Sequence, residues 1–231
     1  MKIALSHSNT PRGPSELTTE NLKPIIKAAY LLQLRHGPFT DREFSEALTT
    51  SDGPQHVNTL LHLGFATEHS DQGEKRYTLT EKGRVQIKVV LAGGVYDVLH
   101  LGHLAALTEA KTLGDVLVAV VATDVTVGMS KGRKPIFPEQ DRRALVEGLK
   151  PVDKAILGYE DVGMGYEQVL TDVMPDIVAF GYDQENLDRS VREIIQRRGL
   201  KIQMVKLSKF DHEKYLSSTR VREELRRISN H

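Results

Sequence analysis

The stretch Val89–His103, which reads VVLAGGVYDVLHLGH, decides the fold of this chain. Its first four residues form a short apolar run of the kind that makes a fully buried strand. We expect the strand to end at the two glycines, because glycine lets the backbone turn sharply and approach a ligand without a Cβ in the way. A helical pattern follows, with Leu104, Leu107 and Ala110 as its apolar stripe.

This order of strand, glycines and helix predicts a phosphate-binding site. The first N–H groups of a helix are unpaired and its dipole is positive at that end, so an anion is stabilised there. His100 and His103 stand at the start of the helix. Side chains three residues apart lie on the same side of a turn, so we expect both imidazoles to donate to the same anion.

The segment Gly94–His103 resembles the G-x-F-D-x-x-H-x-G-H signature of a nucleotidyltransferase family, with Tyr96 in the place of Phe. The resemblance implies that His100 and His103 are catalytic. It also implies that the other positions of the signature contact the nucleotide, namely Gly94, Val95, Tyr96, Asp97, Leu101 and Gly102.

Composition narrows the class of protein. The chain has 231 residues, of which 39% are hydrophobic and 27% charged, as is typical of soluble globular proteins. The formal net charge is zero, so the bulk composition does not indicate nucleic acid or an acidic membrane as a partner. The absence of cysteine excludes disulfides and thiolate chemistry. No apolar run approaches a membrane span and no signal-peptide core is present, so we expect a cytoplasmic protein with no membrane partner.

Residues 21–86 are predicted to form a small N-terminal domain that follows a lead-in at residues 1–20. Three helical patterns precede two short extended runs, at residues 65–68 and 76–79, and the polar residues 70–74 are predicted to form the loop between them. This order resembles a winged helix. The third helix of such domains often contacts DNA, but here it carries no Lys or Arg, so DNA binding is only weakly supported. A protein contact or a homodimer is the equal alternative.

Residues 87–231 alternate strand and helix, which predicts an α/β fold with a Rossmann-like, doubly wound parallel sheet. Further strands are predicted at residues 115–122, 154–157, 176–180 and 201–207, and a last helix at residues 219–228. The strands are continuous apolar runs, which is typical of strands buried on both faces.

A basic cluster, Ser130–Lys134, is predicted to form a flexible loop after the second strand. Cations on such a loop could hold a triphosphate and stabilise a leaving pyrophosphate. From composition alone a solvated surface loop is the more common outcome. The nucleotidyltransferase resemblance instead implies that Lys131 is catalytic and that Arg133 contacts the nucleotide phosphates.

Asp183 follows the fourth strand, where a carboxylate can accept hydrogen bonds from a ribose or a base. The alternative is that it only caps the next helix. Cytidylyltransferases of the family often have Trp directly after this Asp. Gln184 stands there in this chain, which contains no Trp, so the resemblance to cytidine-specific members is weaker.

A second family signature, [I/L]-S-[S/T]-T-x-[I/V], is matched at the start of the last helix. Its hydroxyls and helix N-terminus imply contacts to the β- and γ-phosphates, although helix capping alone would also favour Ser and Thr there. His212 stands where some cytidylyltransferases have an Arg, a charge that Lys214 or Arg220 could supply. The nucleotide-binding residues that this signature implies are Ser217, Ser218, Thr219 and Arg220.

Within the family, the segments at residues 131–140 and 149–158 resemble archaeal-type FAD synthetases most. That resemblance implies transfer of AMP from ATP to FMN, with release of pyrophosphate and with Mg²⁺ bound together with the triphosphate; no dedicated metal site is expected. The first alternative is a CTP-dependent cytidylyltransferase acting on glycerol 3-phosphate or a similar polyol phosphate. The second is a nucleotide-responsive winged-helix regulator.

Overall fold

The computed structural model describes residues 18–160, 165–182 and 184–209, together with Arg227. The chain divides into two compact units, Met1–Lys88 and Val89–His231. The sequence placed this division two residues earlier. Within the described residues, no helix is both long and apolar enough to cross a membrane.

The first unit contains three helices followed by a hairpin and one helical turn. The elements are α1 (Thr19–His36), α2 (Asp41–Leu48), α3 (Gly53–His62), β1 (Ala66–Asp71), β2 (Glu74–Leu79) and α4 (Glu81–Arg84). Thr40 is the N-cap residue of α2 and forms a reciprocal capping box with Glu43. The last turn, α4, was not predicted.

The hairpin turn is tighter than predicted. Its strands continue to Asp71 and Glu74, which pair directly, so only Gln72 and Gly73 remain in the turn. Their φ angles are 49° and 85°, the left-handed geometry that suits a two-residue hairpin. The predicted five-residue loop is wrong because most of β1 is exposed, and an exposed strand tolerates polar residues.

The second unit is built on a parallel sheet. Its elements are β3 (Val89–Gly94), α5 (Leu101–Lys111), β4 (Val116–Val121), α6 (Asp124–Lys131), α7 (Glu139–Glu147), β5 (Lys154–Leu157), α8 (Gly165–Val173), β6 (Ile177–Phe180), α9 (Glu185–Arg198) and β7 (Gln203–Lys206). The strand order is β5-β4-β3-β6-β7, and every neighbouring pair is parallel. The predicted α/β class with a parallel sheet and flanking helices is confirmed.

Burial explains the apolar runs of the sequence. Every residue of β4 and β6 is buried, whereas the edge strands β5 and β7 are only partly buried. Helices cover the central strands, so these strands need apolar side chains on both faces. In α5, Leu107 and Ala110 are buried as predicted, but Leu104 is 38% exposed.

The strand order reverses between β3 and β6, and this is where the sheet opens. β3 pairs with β4 as far as Gly94, but its pairing with β6 ends at Ala92. The carboxyl ends of β3 and β6 therefore separate. In open α/β sheets this gap is the usual place for a ligand.

Two local predictions near this gap need correction. Gly93 and Gly94 belong to β3 instead of ending it, and the left-handed residue of the following turn is Tyr96, at φ 53°. The basic cluster is not all loop, because Lys131 ends α6 and the left-handed Gly132 caps it. The predicted helix at residues 219–228 falls where the structure describes only Arg227.

Candidate active site

A cleft of about 270 Å³ lies at the carboxyl ends of β3 and β6. Leu101, predicted to contact the nucleotide, is 57% exposed and is not among the residues that line it. Five predicted residues lie outside the described part of the chain: Asp183, Ser217, Ser218, Thr219 and Arg220. The other predicted residues all line the cleft: Gly94, Val95, Tyr96, Asp97, His100, Gly102, His103, Lys131 and Arg133.

The two histidines lie face to face at the floor of the cleft. The ring centroids of His100 and His103 are 3.9 Å apart, and the edge of Tyr96 packs against His103 at 5.3 Å. The Nδ1 atoms of both histidines are buried and have no hydrogen-bond partner among the described residues. A buried polar atom without a partner costs about 1–3 kcal/mol, so these two atoms indicate a ligand that completes the site.

The same arrangement keeps the histidines neutral. Burial lowers the pKa of His100. Burial, together with the nearby His100, lowers the pKa of His103 to about 4. A neutral imidazole still carries one N–H, so each ring can donate a hydrogen bond without a charge.

The start of α5 is open to an anion. His100 is the N-cap residue of this helix, and its side chain makes no capping hydrogen bond within the described chain. Gly102 and His103 of the first turn line the cleft, so the positive end of the helix dipole lies beside it, although the N–H of His103 already donates to the oxygen of His100 at 3.0 Å. Lys131 and Arg133 add two cations to the lining.

The packing of Tyr96 requires a glycine at position 94. A Cβ at this position would lie 2.8 Å from Cζ of Tyr96, a distance too short for two carbon atoms. The ring of Tyr96 covers Gly94 because the backbone at Tyr96 turns left-handed. Close approach of a ligand, the reason inferred from the sequence, is thus not needed to explain this glycine.

Asp97 holds the segment that carries the cations. Its Oδ1 accepts hydrogen bonds from the backbone N–H groups of Ile136 and Phe137, at 2.6 and 3.2 Å. Its Oδ2 lies 3.6 Å from Nη1 of Arg133. The side chain is 1% exposed, so we assign Asp97 a positioning role, and its direct contact with a nucleotide stays a prediction.

The sequence analysis missed Arg142, whose side chain is fully buried. Its guanidinium donates to the backbone oxygens of Val95 and Phe137 and to Oδ1 of Asp124. One side chain thus joins the turn after β3, the segment after α6 and the start of α6. Two adjacent arginines, Arg142 and Arg143, in a mostly polar helix resemble surface cations, so the sequence offered no signal for the role of Arg142.

Gln184 was noted only as a departure from the family pattern. In the structure its Nε2 donates to the carbonyl oxygen of Gly93 at 3.0 Å, and its Oε1 accepts from the N–H of Gly181 at 2.8 Å. The amide therefore bridges the ends of β3 and β6 inside the gap.

Among the described residues no group of three His, Cys, Asp or Glu side chains could hold a metal ion.

A parallel α/β sheet with a cleft at its switch point, lined by two histidines and two cations, has the arrangement that nucleotide-binding enzymes commonly use. A family model described as Cytidylyltransferase-like matches residues 91–224. The chain belongs to the cytidylyltransferase-like family, and it is a nucleotidyltransferase, as the sequence predicts.

Individual relatives agree with this assignment. The chain is 47% identical over 121 residues to an FAD synthase of Aciduliprofundum boonei, which covers 52% of this chain and 78% of the relative. It is 46% identical over 122 residues to an FAD synthase of Thermoplasma acidophilum, which covers 53% and 83%. The chain is also similar to the crystal structure of a lipopolysaccharide core biosynthesis protein from Thermoplasma volcanium, with a TM-score of 0.50 and 44% sequence identity. The match covers 54% of this chain and 99% of the chain in that crystal structure.

Proposed function

We propose that this protein transfers AMP from ATP to FMN and releases pyrophosphate, as an FAD synthase does. The observation that carries the proposal is the pair of stacked rings of His100 and His103, which line the cleft at the start of α5 and whose buried Nδ1 atoms have no hydrogen-bond partner among the described residues. Donors placed in this way suit the phosphate oxygens of a nucleotide. The FAD synthases at 46% and 47% identity supply the choice of acceptor.

The chemistry needs no protein nucleophile. A phosphate oxygen of FMN attacks the α-phosphorus of ATP and forms a new P–O bond. The bond between the α-phosphorus and the bridging oxygen breaks, and pyrophosphate leaves with that oxygen. His100 and His103 donate hydrogen bonds to the α-phosphate and the bridging oxygen, and Lys131 balances the charge that develops on the leaving group. Positioning and electrostatics thus account for the rate.

A divalent cation enters with the substrate. Mg²⁺ binds few protein ligands and prefers phosphate oxygens and water, so it arrives as the Mg–ATP complex. His100, His103, Lys131 and Arg133 would hold the phosphates, and a divalent cation bound with the triphosphate would supply further neutralisation of its charge.

ATP is expected to be preferred over CTP. A Trp beside Asp183 would narrow the base pocket, and the Gln184 that replaces it directs its amide into the gap between β3 and β6. This leaves more room for a purine. A base whose hydrogen-bonding edge does not match the pocket would leave polar groups unpaired, and each unpaired group would cost about 1–3 kcal/mol of binding free energy. We therefore expect kcat/KM with FMN as acceptor to be at least about tenfold higher for ATP than for CTP.

The test is a grid of two nucleotides against several acceptors, read as release of pyrophosphate. FMN, glycerol 3-phosphate and a sugar phosphate are the acceptors, each offered with Mg–ATP and with Mg–CTP. The proposal requires turnover with ATP and FMN. Preference for CTP with glycerol 3-phosphate and no reaction of FMN would instead establish the cytidylyltransferase alternative, and nucleotide binding without turnover of any acceptor would favour the regulator.

The first unit gives DNA binding little support. Of the polar residues on α3, His56 is buried and its Nδ1 lies 2.7 Å from the backbone oxygen of Asp52. On the hairpin, Lys75 pairs with Glu68, and Arg76 pairs with Glu74. Cations already paired with carboxylates attract phosphate less, so we infer a protein contact, such as a homodimer, as the role of this unit.

A further inference from the structure

The geometry of the sheet defines which backbone groups should meet at the gap. In a parallel strand, alternate residues direct their N–H and C=O toward the same neighbour. The oxygen of Gly94 accepts from Ala122, after β4, so the oxygen of the preceding Gly93 faces β6. The oxygen of Phe180 accepts from Leu207, after β7, so the N–H of the next residue, Gly181, faces β3.

One more step of the ladder would join these two groups directly. The register pairs Ala92 with Ala179, and its continuation has the N–H of Gly181 donate to the oxygen of Gly93. That bond is replaced in the structure by two bonds through Gln184. The amide oxygen takes the N–H of Gly181, and the amide nitrogen donates to Gly93.

We propose that Gln184 is a positioning residue whose amide replaces one interstrand hydrogen bond and so holds the ends of β3 and β6 apart for the nucleotide. A direct bond would bring the two strands to ordinary ladder spacing and close this part of the cleft. The inserted amide widens the gap while it satisfies both backbone groups, so no unpaired group opposes the opening. The inference rests on the proposed function, because the ligand that uses the gap is the nucleotide.

The positions joined by Gln184 explain its effect on binding. Gly93 precedes the turn that leads to His100 and His103, and Gly181 precedes Tyr182 on the opposite wall of the cleft. A change in strand spacing therefore moves the two walls relative to each other. Binding of the nucleotide should respond more than the chemical step, since the groups that act on the phosphates lie on one wall only.

Two substitutions separate the hydrogen bonds from the size of the side chain. Gln184→Met keeps the length and loses both bonds, so the affinity for a non-hydrolysable ATP analogue should fall by about tenfold, the scale of one lost hydrogen bond. In steady-state assays KM for ATP should rise more than kcat falls.

Gln184→Glu tests the hydrogen bond that the side chain donates to the oxygen of Gly93, because pH controls whether the new carboxyl group carries a proton. As a carboxylate, the new side chain accepts from Gly181 but opposes the oxygen of Gly93, so binding of the analogue at pH 8 should be weaker than in the wild type. When protonated, a carboxyl group donates and accepts as an amide does. Affinity should then return toward the wild-type value as the pH falls to 5. Gln196→Glu, on the exposed face of α9, is the matched control and should follow the wild type throughout.

The outcomes are distinct. Wild-type affinity for the ATP analogue in Gln184→Met, or a Gln184→Glu variant that follows the control across pH, would each overturn the proposal. If the Met variant does not fold, the pH series of the Glu variant decides. Tight binding of the ATP analogue by the wild type without turnover of FMN would reject the proposed function alone and leave the role of Gln184 open to the same measurements.

Discussion

The stacking of His100 on His103 determines how this site can bind phosphate. Burial lowers the pKa of both imidazoles, and the nearby His100 lowers that of His103 further, because two charges on rings with centroids 3.9 Å apart would repel each other. In the proposed function both rings therefore act as neutral hydrogen-bond donors. Among the described residues that line the cleft, the positive charge therefore comes from Lys131 and Arg133. The neutral histidine donors and the cations thus belong to different elements.

Replacing His103 by Ala should lower turnover by at least about a hundredfold, the scale seen when one preorganised donor to a transition state is removed. The fold should change little, because the residue lines an open cleft. Steady-state kinetics with ATP and FMN measure the effect, and circular dichroism checks the fold. His69→Ala, an exposed histidine of β1, is the control. Near-normal turnover in the His103 variant would remove this residue from the mechanism.

The lowered pKa of His103 also predicts a dependence of stability on pH. The unfolded chain takes up a proton near the ordinary pKa of 6.5, but the folded chain resists protonation until about pH 4. The free energy of unfolding should therefore be fully present above pH 6.5 and decline as the pH falls through this window, by about 1–3 kcal/mol from this residue.

Urea unfolding at pH 7.5 and pH 4.5 measures this decline. Carboxylates titrate in the same window, so the informative quantity is the difference between the wild type and His103→Gln, which has no group that ionises. The variant should lose less stability on acidification. An equal loss in both proteins would show that His103 titrates normally in the folded state.

At the scale of elements, side-chain hydrogen bonds join the end of β3 to the segment after α6. Asp97 reaches from the turn to the backbone of Ile136 and Phe137, and Arg142 reaches from α7 to Val95 and Phe137. These bonds attach the basic segment to the turn that leads to α5. The cations and the histidines are thereby held at the same cleft, although they belong to different elements.

The two glycines of β3 should respond differently to substitution. Gly94→Ala places a Cβ 2.8 Å from the ring of Tyr96, so the ring must shift, and we expect a loss of about 1–3 kcal/mol in the free energy of unfolding. Gly93→Ala is the matched control, because the nearest atom to its Cβ, the oxygen of Val120, lies at 4.0 Å. Thermal unfolding of both variants measures the difference in stability. Equal midpoint temperatures of Gly94→Ala and Gly93→Ala would contradict the packing described for Tyr96.

At the scale of the whole molecule, every described residue that lines the cleft belongs to the unit Val89–His231. A chain that lacks residues 1–84 should therefore fold and keep most of its turnover with ATP and FMN. Its folding is checked by cooperative thermal unfolding, and its kinetics are compared with those of the full chain. Loss of activity in a truncated chain that remains folded would mean that the first unit completes the site or the active oligomer.

The amino-acid sequence by itself determined the class of fold and most of the candidate site. All five strands of the sheet were predicted, and the signal is clearest in the central strands β4 and β6, because burial on both faces leaves a continuous apolar run in each strand separately. The spacing of His100 and His103 predicted their meeting, since one helical turn brings them together. Such local patterns need no knowledge of the distant chain.

Only the tertiary structure decided how the parts of the site are held. Asp97 bonds to a backbone 39 residues away, Arg142 to one 47 residues away, and Gln184 to one 91 residues away. Each is a polar residue whose partner is a backbone group, so no pattern in the sequence marks the pair. These partners become neighbours only through the strand order β4-β3-β6 and the packing of α7, which is why hydrophobic periodicity could predict the elements but not the bonds that position them.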